Sequence, residues 1–468
     1  MKVGIITLGC DKNTVDSERY LAQLVDHGAD PTADLRDADV VLVNTCGFID
    51  AAKKESIDAL VEAGQFKTLG SCRAVVGVGC LVERHRDELV SALPEVDFFL
   101  GASEMDRLVP ELDARGLLPI GGAPARHPGV RLHTGELRHV RYLKISEGCD
   151  HGCAFCAIPL MRGKHRSFAL EDVVREAQLL EAQGARELNL VAQDLGHWGR
   201  DLRAEGKALP DLLEALVRET TVPWIRMLYL YSAGLSPRLL EVIAGEPRIL
   251  PYLDMPIQHA SDPVLVRMRR PERRATIRER VSRIRAVIPD VAIRTTCIVG
   301  FPGETDQDFT TLLEFLEETA FDRVGAFTYS PQDGTRSAEL ADDVPEAVKR
   351  ERLERLNELQ GLITSERYEQ RVGRTVQAMV DRVTEDGIEA RTVWQADDID
   401  GITTIDDADG LAPGTIVDAE IREVIDDVNL GASVVRVVVP GGAPAQTVGR
   451  ALPVMSVGSG RTIGSYGR

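Results

Sequence analysis

Three cysteines lie within the short segment EGCDHGCAFC, residues 147–156. Cys149, Cys153 and Cys156 follow a CxxxCxxC spacing, which lets one tight loop wrap three thiolates around a compact metal group. A 4Fe-4S cluster held in this way would keep one iron open, because such clusters generally take one cysteine per iron. A structural zinc site is the alternative, with His151 as its fourth ligand. The spacing alone leaves both alternatives open.

A second set of cysteines follows three apolar segments near the start of the chain. Cys10, Cys46 and Cys80 come directly after β-rich runs, in KVGIITLGC, VVLVNTC and AVVGVGC. Because the carboxyl ends of parallel strands share one edge of a sheet, these thiols are expected to converge there as a second metal site. Cys72 precedes its strand and Cys297 lies inside one, so packing is expected for both. Cys72 is the competitor for a place in the second site.

The elements that must hold this second set form an α/β domain over residues 1–112. Its three apolar runs are typical of buried parallel strands. A helix between the first two runs is expected to begin near Asp16 and Ser17, where residues suited to a helix start precede an apolar stripe. Residues 113–135 carry Gly, Pro and Arg without periodicity, which is typical of a linker.

Residues 135–366 repeat the alternation of strand and helix on a larger scale. Amphipathic helices lie between most of six candidate strands, which are RYLKIS, RELNLVAQD, WIRMLYLY, YLDMPIQ, VAIRTTCIVG and RVGAFTY. Such units in series predict a parallel barrel or partial barrel, in which the chemistry gathers at the carboxyl ends of the strands. The CxxxCxxC loop follows the first of these strands.

A charged helix is expected around residues 345–370, and after it the sequence pattern changes to short strand segments with turn residues. The segments TVQAMVDRV, IEARTVW and GTIVDAEIREV predict a small β-barrel over residues 369–437. Residues 440–468 are rich in Gly, Ser and Pro and are predicted to be a disordered tail. The fold class expected for the whole chain is therefore α/β multidomain, with a small β-barrel as its third folded domain.

Composition is that of a soluble globular protein. The chain has 468 residues, 44% of them hydrophobic. It has no uncharged apolar stretch of the length, about 18 residues, that indicates a transmembrane helix. The start, MKVGIITLGCDKN, lacks the basic region and long apolar segment of a signal peptide, so a cytoplasmic protein without membrane partners is expected. The formal net charge of −19 repels nucleic acid and favours a basic partner.

A CxxxCxxC loop after the first strand of a parallel barrel resembles the radical S-adenosylmethionine (SAM) enzymes. That resemblance implies that SAM itself chelates the open iron. With the N-terminal cysteine domain and a C-terminal TRAM barrel, residues 1 to about 437 resemble the methylthiotransferases. In that family the cysteines matching Cys10, Cys46 and Cys80 hold a second 4Fe-4S cluster, which is implicated in supplying or carrying the inserted sulfur. Two clusters and SAM are therefore the implied cofactors.

The resemblance also implies roles for SAM and for residues at other strand ends. SAM is expected to act both as the radical source and as the methyl donor, with an electron-donor protein and a sulfur source as partners. Gln193 ends the second barrel strand and Gly300 the fifth, and the segment from Gly300 to Glu304 resembles the stretch beside the adenosyl group. Both are candidate SAM-binding residues. His259 is expected to be structural.

Five segments resemble the branch of the family that modifies an aspartate β-carbon in the small-subunit ribosomal protein S-twelve. They are LGCDKNTVDSE, NTCGFIDAAKKESID, MRGKHRSF, YLDMPIQHASD and GAFTYSPQDGT. Residues 381–430 contain fifteen Asp or Glu against three Arg and no Lys. That charge suits a basic ribosomal protein and makes nucleic acid an unlikely direct substrate. The alternatives are a transfer-RNA adenosine methylthiotransferase and, less favoured by the sequence, a zinc-stabilised non-catalytic binding module.

Overall fold

The computed structural model describes residues 1–121, 131–202, 206–385, 387–406 and 410–442. Strands and helices alternate through the N-terminal domain, which comprises β1 (Lys2–Thr7), α1 (Asp11–Asp26), β2 (Asp30–Pro31), β3 (Val40–Thr45), α2 (Asp50–Leu69), β4 (Ala74–Gly79), α3 (Cys80–Ala92), β5 (Phe98–Gly101) and α4 (Leu108–Ala114). The strands form one parallel sheet in the order β2-β1-β3-β4-β5. The three strands predicted here are confirmed, and the two edge strands are additional.

The first helix begins five residues before its predicted start. Cys10 has extended backbone angles, φ −102° and ψ 171°, and α1 follows it directly. Asp16 lies inside the helix and is buried. Its carboxylate accepts hydrogen bonds from Lys144 and Arg162 of the next domain. The residue whose type indicated a helix start is therefore an ion-pair partner across a domain boundary.

The central domain continues the alternation from β6 to α12. Its elements are β6 (Val140–Lys144), β7 (Ser146–Glu147), α5 (Ile158–Arg162), β8 (Arg166–Ser167), α6 (Leu170–Ala182), β9 (Glu187–Val191), α7 (Leu209–Glu219), β10 (Trp224–Met227), α8 (Pro237–Gly245), β11 (Ile249–Asp254), α9 (Asp262–Arg267), α10 (Arg274–Val287), β12 (Ala292–Val299), α11 (Asp306–Thr319), β13 (Arg323–Thr328) and α12 (Glu346–Glu369). Six parallel strands form an open sheet in the order β13-β12-β11-β10-β9-β6. This is the predicted partial barrel, and all six predicted strands contribute to it.

A closed five-stranded barrel forms the third domain, as predicted. Its strands are β14 (Thr375–Thr384), β15 (Gly387–Thr392), β16 (Thr403–Asp406), β17 (Ile416–Val424) and β18 (Leu430–Val439), joined in the order β14-β15-β16-β18-β17. The predicted domain limits stay predictions. Residues 443–468, which make up nearly all of the predicted disordered tail, lie outside the described part of the chain. Within that described part, no helix is long and apolar enough to cross a membrane.

The barrel shares a buried apolar cluster with strands of the central sheet, including Trp224 and Tyr252 against Met379 and Trp394. Charged groups cross the same boundary. Arg391 of β15 donates to Glu187 of β9 at 2.8 Å and to Asp381 of β14 at 2.6 Å. All three side chains are buried, so the guanidinium neutralises two carboxylates that have no access to bulk water.

The stability that this contact gives the protein depends on pH. Burial opposes ionisation of Asp381, but the Arg391 charge and a hydrogen bond with His139 lower the pKa of the carboxyl to about 2. In the unfolded chain the same pKa is about 3.9. A carboxyl whose pKa is depressed by folding stabilises the protein above the unfolded value. That contribution is lost as the pH falls from about 4 towards 2.

Arg391→Met is expected to destabilise the protein by about 3–5 kcal/mol, because it leaves the buried Asp381 carboxylate without its arginine. Thermal unfolding followed by calorimetry at pH 7 measures the loss. Arg422→Met is the matched control, since Arg422 pairs with Glu420 on the exposed barrel surface and such pairs contribute at most about 1 kcal/mol. Equal effects of the two substitutions would contradict the assignment.

Candidate functional site

The three strand-end cysteines of the N-terminal domain meet at one edge of its sheet. Cys10 lies between β1 and α1, Cys46 follows β3, and Cys80 opens α3 directly after β4. The turn before Cys10 comes so close to Cys46 that it requires a glycine. Gly9 has φ +91°, and a Cβ there would lie 2.9 Å from the Cys46 Sγ. The convergence expected from strand order is therefore present in the fold.

These thiols influence one another electrostatically. Burial, together with negative charge on Cys10 and Cys80, raises the pKa of the Cys46 thiol to about 12. Burial likewise raises the pKa of Cys80 to about 11, against the opposing charge of Arg162. Thiols in this state keep their protons at neutral pH unless a metal ion replaces them. Three thiols at one sheet edge suit a shared metal cluster.

Cys72 and Cys297 lie apart from this edge. Cys72 comes before β4, at the opposite end of the strand from Cys80, and its Sγ donates to the Ala74 carbonyl at 3.2 Å. It packs in the apolar cluster beneath the sheet. Cys297 is fully buried within β12, and burial raises the pKa of its thiol. This placement supports a packing role for both and leaves Cys80 as the third member of the N-terminal set.

The CxxxCxxC loop follows β6 and β7, as the sequence predicted. Gly148 has φ +78°, and a Cβ there would lie 2.1 Å from the Lys164 carbonyl oxygen, so only glycine permits this approach. Two backbone bonds fix the loop: Cys149 N–H donates to the Gly163 carbonyl at 3.1 Å, and Ala154 N–H to the Met268 carbonyl at 2.9 Å. The loop is thus clamped to segments on both sides of the barrel mouth.

The loop thiols resemble the N-terminal set in their electrostatics. Burial is the main cause that raises the pKa of Cys149 to about 11 and that of Cys156 to about 12. Negative charge on Cys153 also raises the pKa of both thiols. Arg270 approaches the Cys153 Sγ at 3.8 Å and stacks on the Tyr231 ring. Sequence reasoning missed Arg270, which lies in the arginine-rich run RMRRPERR.

His151, the fourth ligand in the zinc alternative, is engaged elsewhere. Its Nε2 lies 2.8 Å from an Asp194 carboxylate oxygen, and its ring stacks on Tyr231 and His197. His151, Asp194 and His197 place their ligand atoms within 4.8 Å of one another. The histidine therefore belongs to a hydrogen-bonded stack with Asp194, which weakens the zinc alternative.

The two candidate SAM-binding residues, Gln193 and Gly300, lie in different surroundings. Gln193 donates from Nε2 to Glu147 beside the cysteine loop at 2.9 Å, and its buried Oε1 has no hydrogen-bond partner among the described residues. An acceptor of this kind suits a bound ligand. Gly300 has φ +72°, and a Cβ there would lie 2.3 Å from Lys349 Cγ, so packing alone requires this glycine. Their roles in SAM binding stay predictions.

His259 is completely buried, as expected for a structural histidine. Its Nδ1 accepts from the Ser261 N–H at 2.9 Å, and its Nε2 lies 3.6 Å from a Glu304 carboxylate oxygen. Glu304 in turn accepts from the Gly300 N–H at 2.8 Å. The Glu304 carboxylate, which also accepts from the Phe301 N–H, holds the turn after β12 in place.

The two cysteine sets adjoin across the boundary between their domains. Cys80 packs in a small apolar cluster with Ala157 and Met161 of the central domain. Ala157 directly follows Cys156, so one member of each set borders the same contact. Two three-thiol sites therefore face a common region at the carboxyl edges of two parallel sheets.

Comparison with known proteins gives three family matches along the chain. They are the family described as "Uncharacterized protein family UPF0004" over residues 2–101, the radical SAM superfamily over residues 143–316 and the TRAM domain over residues 372–435. The Cys10, Cys46 and Cys80 set lies within the first match and the CxxxCxxC loop within the second.

Curated relatives match nearly the whole chain. The ribosomal protein uS12 methylthiotransferase RimO of an Anaeromyxobacter strain is 45% identical over 430 residues, which cover 90% of this chain and 91% of the relative. The protein of the same name from Geobacter sulfurreducens is 42% identical, over 86% of this chain and 91% of the relative.

Among solved structures, the radical SAM methyltransferase TsrM from Kitasatospora setae has a similar fold. Its TM-score is 0.52 at 14% identity, over 70% of this chain and 74% of that chain.

Proposed function

This chain belongs to the RimO family of radical SAM methylthiotransferases, and from that premise we propose that it attaches a methylthio group to the β-carbon of an aspartate in ribosomal protein uS12 (S-twelve). The observation that carries this function is the pair of adjoining three-thiol sites, one at the edge of the N-terminal sheet and one at the mouth of the partial barrel. Sulfur insertion at an unreactive carbon needs both radical formation and a sulfur carrier, and the chain offers one site for each.

The donor sets fit the cofactors of this family. Cys149, Cys153 and Cys156 would hold the 4Fe-4S cluster that, with SAM bound, supplies the radical chemistry that amino acid side chains lack. The cysteines at the N-terminal sheet edge would hold the second cluster. The unpartnered Gln193 Oε1 offers a hydrogen-bond acceptor for SAM beside the first site. The surrounding loops fix the thiols and limit access of water to them.

The remaining partners follow from the same reaction. We propose SAM as methyl donor as well as radical source, an electron-donor protein for the first cluster and an external sulfur source for the second. A ribosomal substrate implies activity in the cytoplasm.

The acidic barrel supports a basic protein as substrate, although part of its charge serves the barrel itself. Asp381 and Asp400 are buried, and Asp418 pairs with Arg436. Other acidic residues point outwards, among them Glu385, Asp406 and Glu423. These exposed carboxylates suit an electropositive ribosomal protein and oppose the phosphates of RNA.

Deleting the gene tests the function directly. Mass spectrometry of uS12 from the deletion strain is expected to show loss of the mass of one methylthio group from the aspartate-containing peptide. Complementation with the intact gene should restore the modification. Unchanged uS12, together with loss of a methylthio group from transfer RNA, would establish the transfer-RNA alternative instead.

Charge reversal tests how the substrate is recognised. Replacing Glu385, Asp406 and Glu423 together by Lys is expected to raise KM for uS12 several-fold at low salt, with less effect at high salt, because screening shortens to about 8 Å at physiological ionic strength. Steady-state kinetics at two salt concentrations measures the change, and SAM cleavage without substrate should be unaltered.

The matched control reverses three exposed acidic residues of the N-terminal domain, Glu62, Asp87 and Glu88, and so changes the net charge equally. If both triple variants raise KM alike, recognition depends on overall charge and not on the barrel.

A further inference from the structure

Arg162, the last residue of α5, extends from the central domain into the N-terminal cysteine set. Its side chain is only 4% exposed. The Nε–H donates to the Cys80 Sγ at 3.1 Å, and the two terminal nitrogens donate to Asp16 and to Asn13 Oδ1, each at 2.5 Å. The guanidinium thus donates mainly to the N-terminal domain, and one of these hydrogen bonds goes to a sulfur.

Charged side chains around Arg162 hold its guanidinium in place. Asp16 also accepts from Lys144, and Glu147 accepts from Lys144 at 2.6 Å and lies 3.3 Å from Arg162. Although burial opposes it, the charges of Lys144 and Arg162 lower the pKa of Asp16 to about 2. The buried cluster therefore pairs two cations with two carboxylates, and the hydrogen bond to Cys80 comes from a guanidinium that cannot rotate away.

We propose that Arg162 is a positioning residue that raises the reduction potential of the N-terminal cluster through its hydrogen bond to Cys80. The inference rests on the proposed function, which makes Cys80 a ligand of that cluster. Hydrogen bonds to ligand sulfurs are among the factors that set the potential of iron–sulfur clusters. A cationic donor offsets negative charge on the sulfur, and it therefore favours the reduced, more negative cluster.

Domain docking alone does not explain this arrangement. Arg19 of α1 pairs with Glu176 of α6 at 2.7 Å, and Arg131 of the linker bridges Glu18 of α1 and Glu176 at 2.7 and 2.8 Å, so other buried or half-buried ion pairs already join the same two domains. Neither of these pairs involves a cysteine. They provide a matched control for loss of an interdomain ion pair without loss of the sulfur contact.

The test uses the full chain with Cys149, Cys153 and Cys156 replaced by Ala, reconstituted anaerobically so that only the N-terminal cluster remains. In this background Arg162→Met is expected to lower the midpoint potential, measured by a redox titration followed by electron paramagnetic resonance. The expected change in the reduced-to-oxidised ratio at a fixed potential is about tenfold, which corresponds to about 59 mV for one electron. Arg19→Met should leave the potential unchanged.

Four outcomes would contradict the proposal or the function on which it rests. An unchanged potential in an Arg162→Met protein with full iron content overturns the proposal, as does an equal fall in the Arg19→Met control. If the Met variant does not retain iron, Arg162→Gln replaces it, and a potential equal to the parent's overturns the proposal there as well. A parent protein that holds no iron would instead contradict the proposed function, since the N-terminal set would then not be a cluster site.

Discussion

Alanine in place of Cys149, Cys153 and Cys156 is expected to abolish 5′-deoxyadenosine formation and to remove about half of the protein's iron. We expect the rate to fall by more than about a thousandfold, equivalent to about 4 kcal/mol of activation free energy, because no side chain substitutes for the lost cofactor. Two 4Fe-4S clusters correspond to about eight irons per chain, so about four should remain. Chromatography of the SAM products and a colorimetric iron assay on anaerobically reconstituted protein give both values.

Retention of all the iron by this triple variant would contradict the assignment of the loop as a cluster site. Stoichiometric zinc without iron in protein isolated under anaerobic conditions would favour the zinc-stabilised binding module. The wild-type chain, reconstituted in parallel, is the control for both measurements.

Replacing Cys46 by Ala is expected to separate the two activities. The variant should still produce 5′-deoxyadenosine, because the CxxxCxxC loop lies in another domain. It should form no methylthiolated uS12, since a thiol is missing from the set proposed to carry the sulfur. Mass spectrometry of the substrate peptide and chromatography of the SAM products report the two steps in one reaction mixture. We expect product formation to fall by more than about a thousandfold.

Cys72→Ala is the matched control, because Cys72 is a buried cysteine of the same domain that contacts the Ala74 carbonyl at the far end of β4. It should resemble wild type in both assays. If Cys72→Ala instead loses N-terminal iron while Cys80→Ala keeps it, the third ligand has been wrongly assigned.

Much of the fold was predictable because strand-forming runs and cysteines coincide in this sequence. Cys10, Cys46 and Cys80 mark three strand ends, and the order of parallel strands brings such ends to one edge. The two-residue strand β2 and the four-residue strand β5 were missed because segments that short carry little periodicity. The start of α1 was misplaced because Asp16 has a residue type common at helix starts but pairs across a domain boundary.

The surroundings of the cysteines were less predictable than the cysteines themselves. Arg162 contacts a sulfur 82 positions away, and Arg270 approaches one 117 positions away. Such contacts depend on how finished domains pack, which local sequence patterns do not encode. The acidic composition of the barrel was evident from residue counts. Which carboxylates face solvent was not, because Asp381 and Asp400 turned out to be buried.

The ion pair between Glu187 and Arg391 also has a consequence for the order of events during translation. The two partners are 204 residues apart in sequence. At about 5–20 residues per second, the ribosome takes about 10–40 s to make the intervening chain. Arg226, only 39 residues downstream of Glu187, is the first of the two arginine partners of this carboxylate to be translated. A nascent central domain can therefore pair buried Glu187 with Arg226. Arg391 is synthesised later, and its ion pair with Glu187 attaches the small barrel to a domain that has already begun to fold.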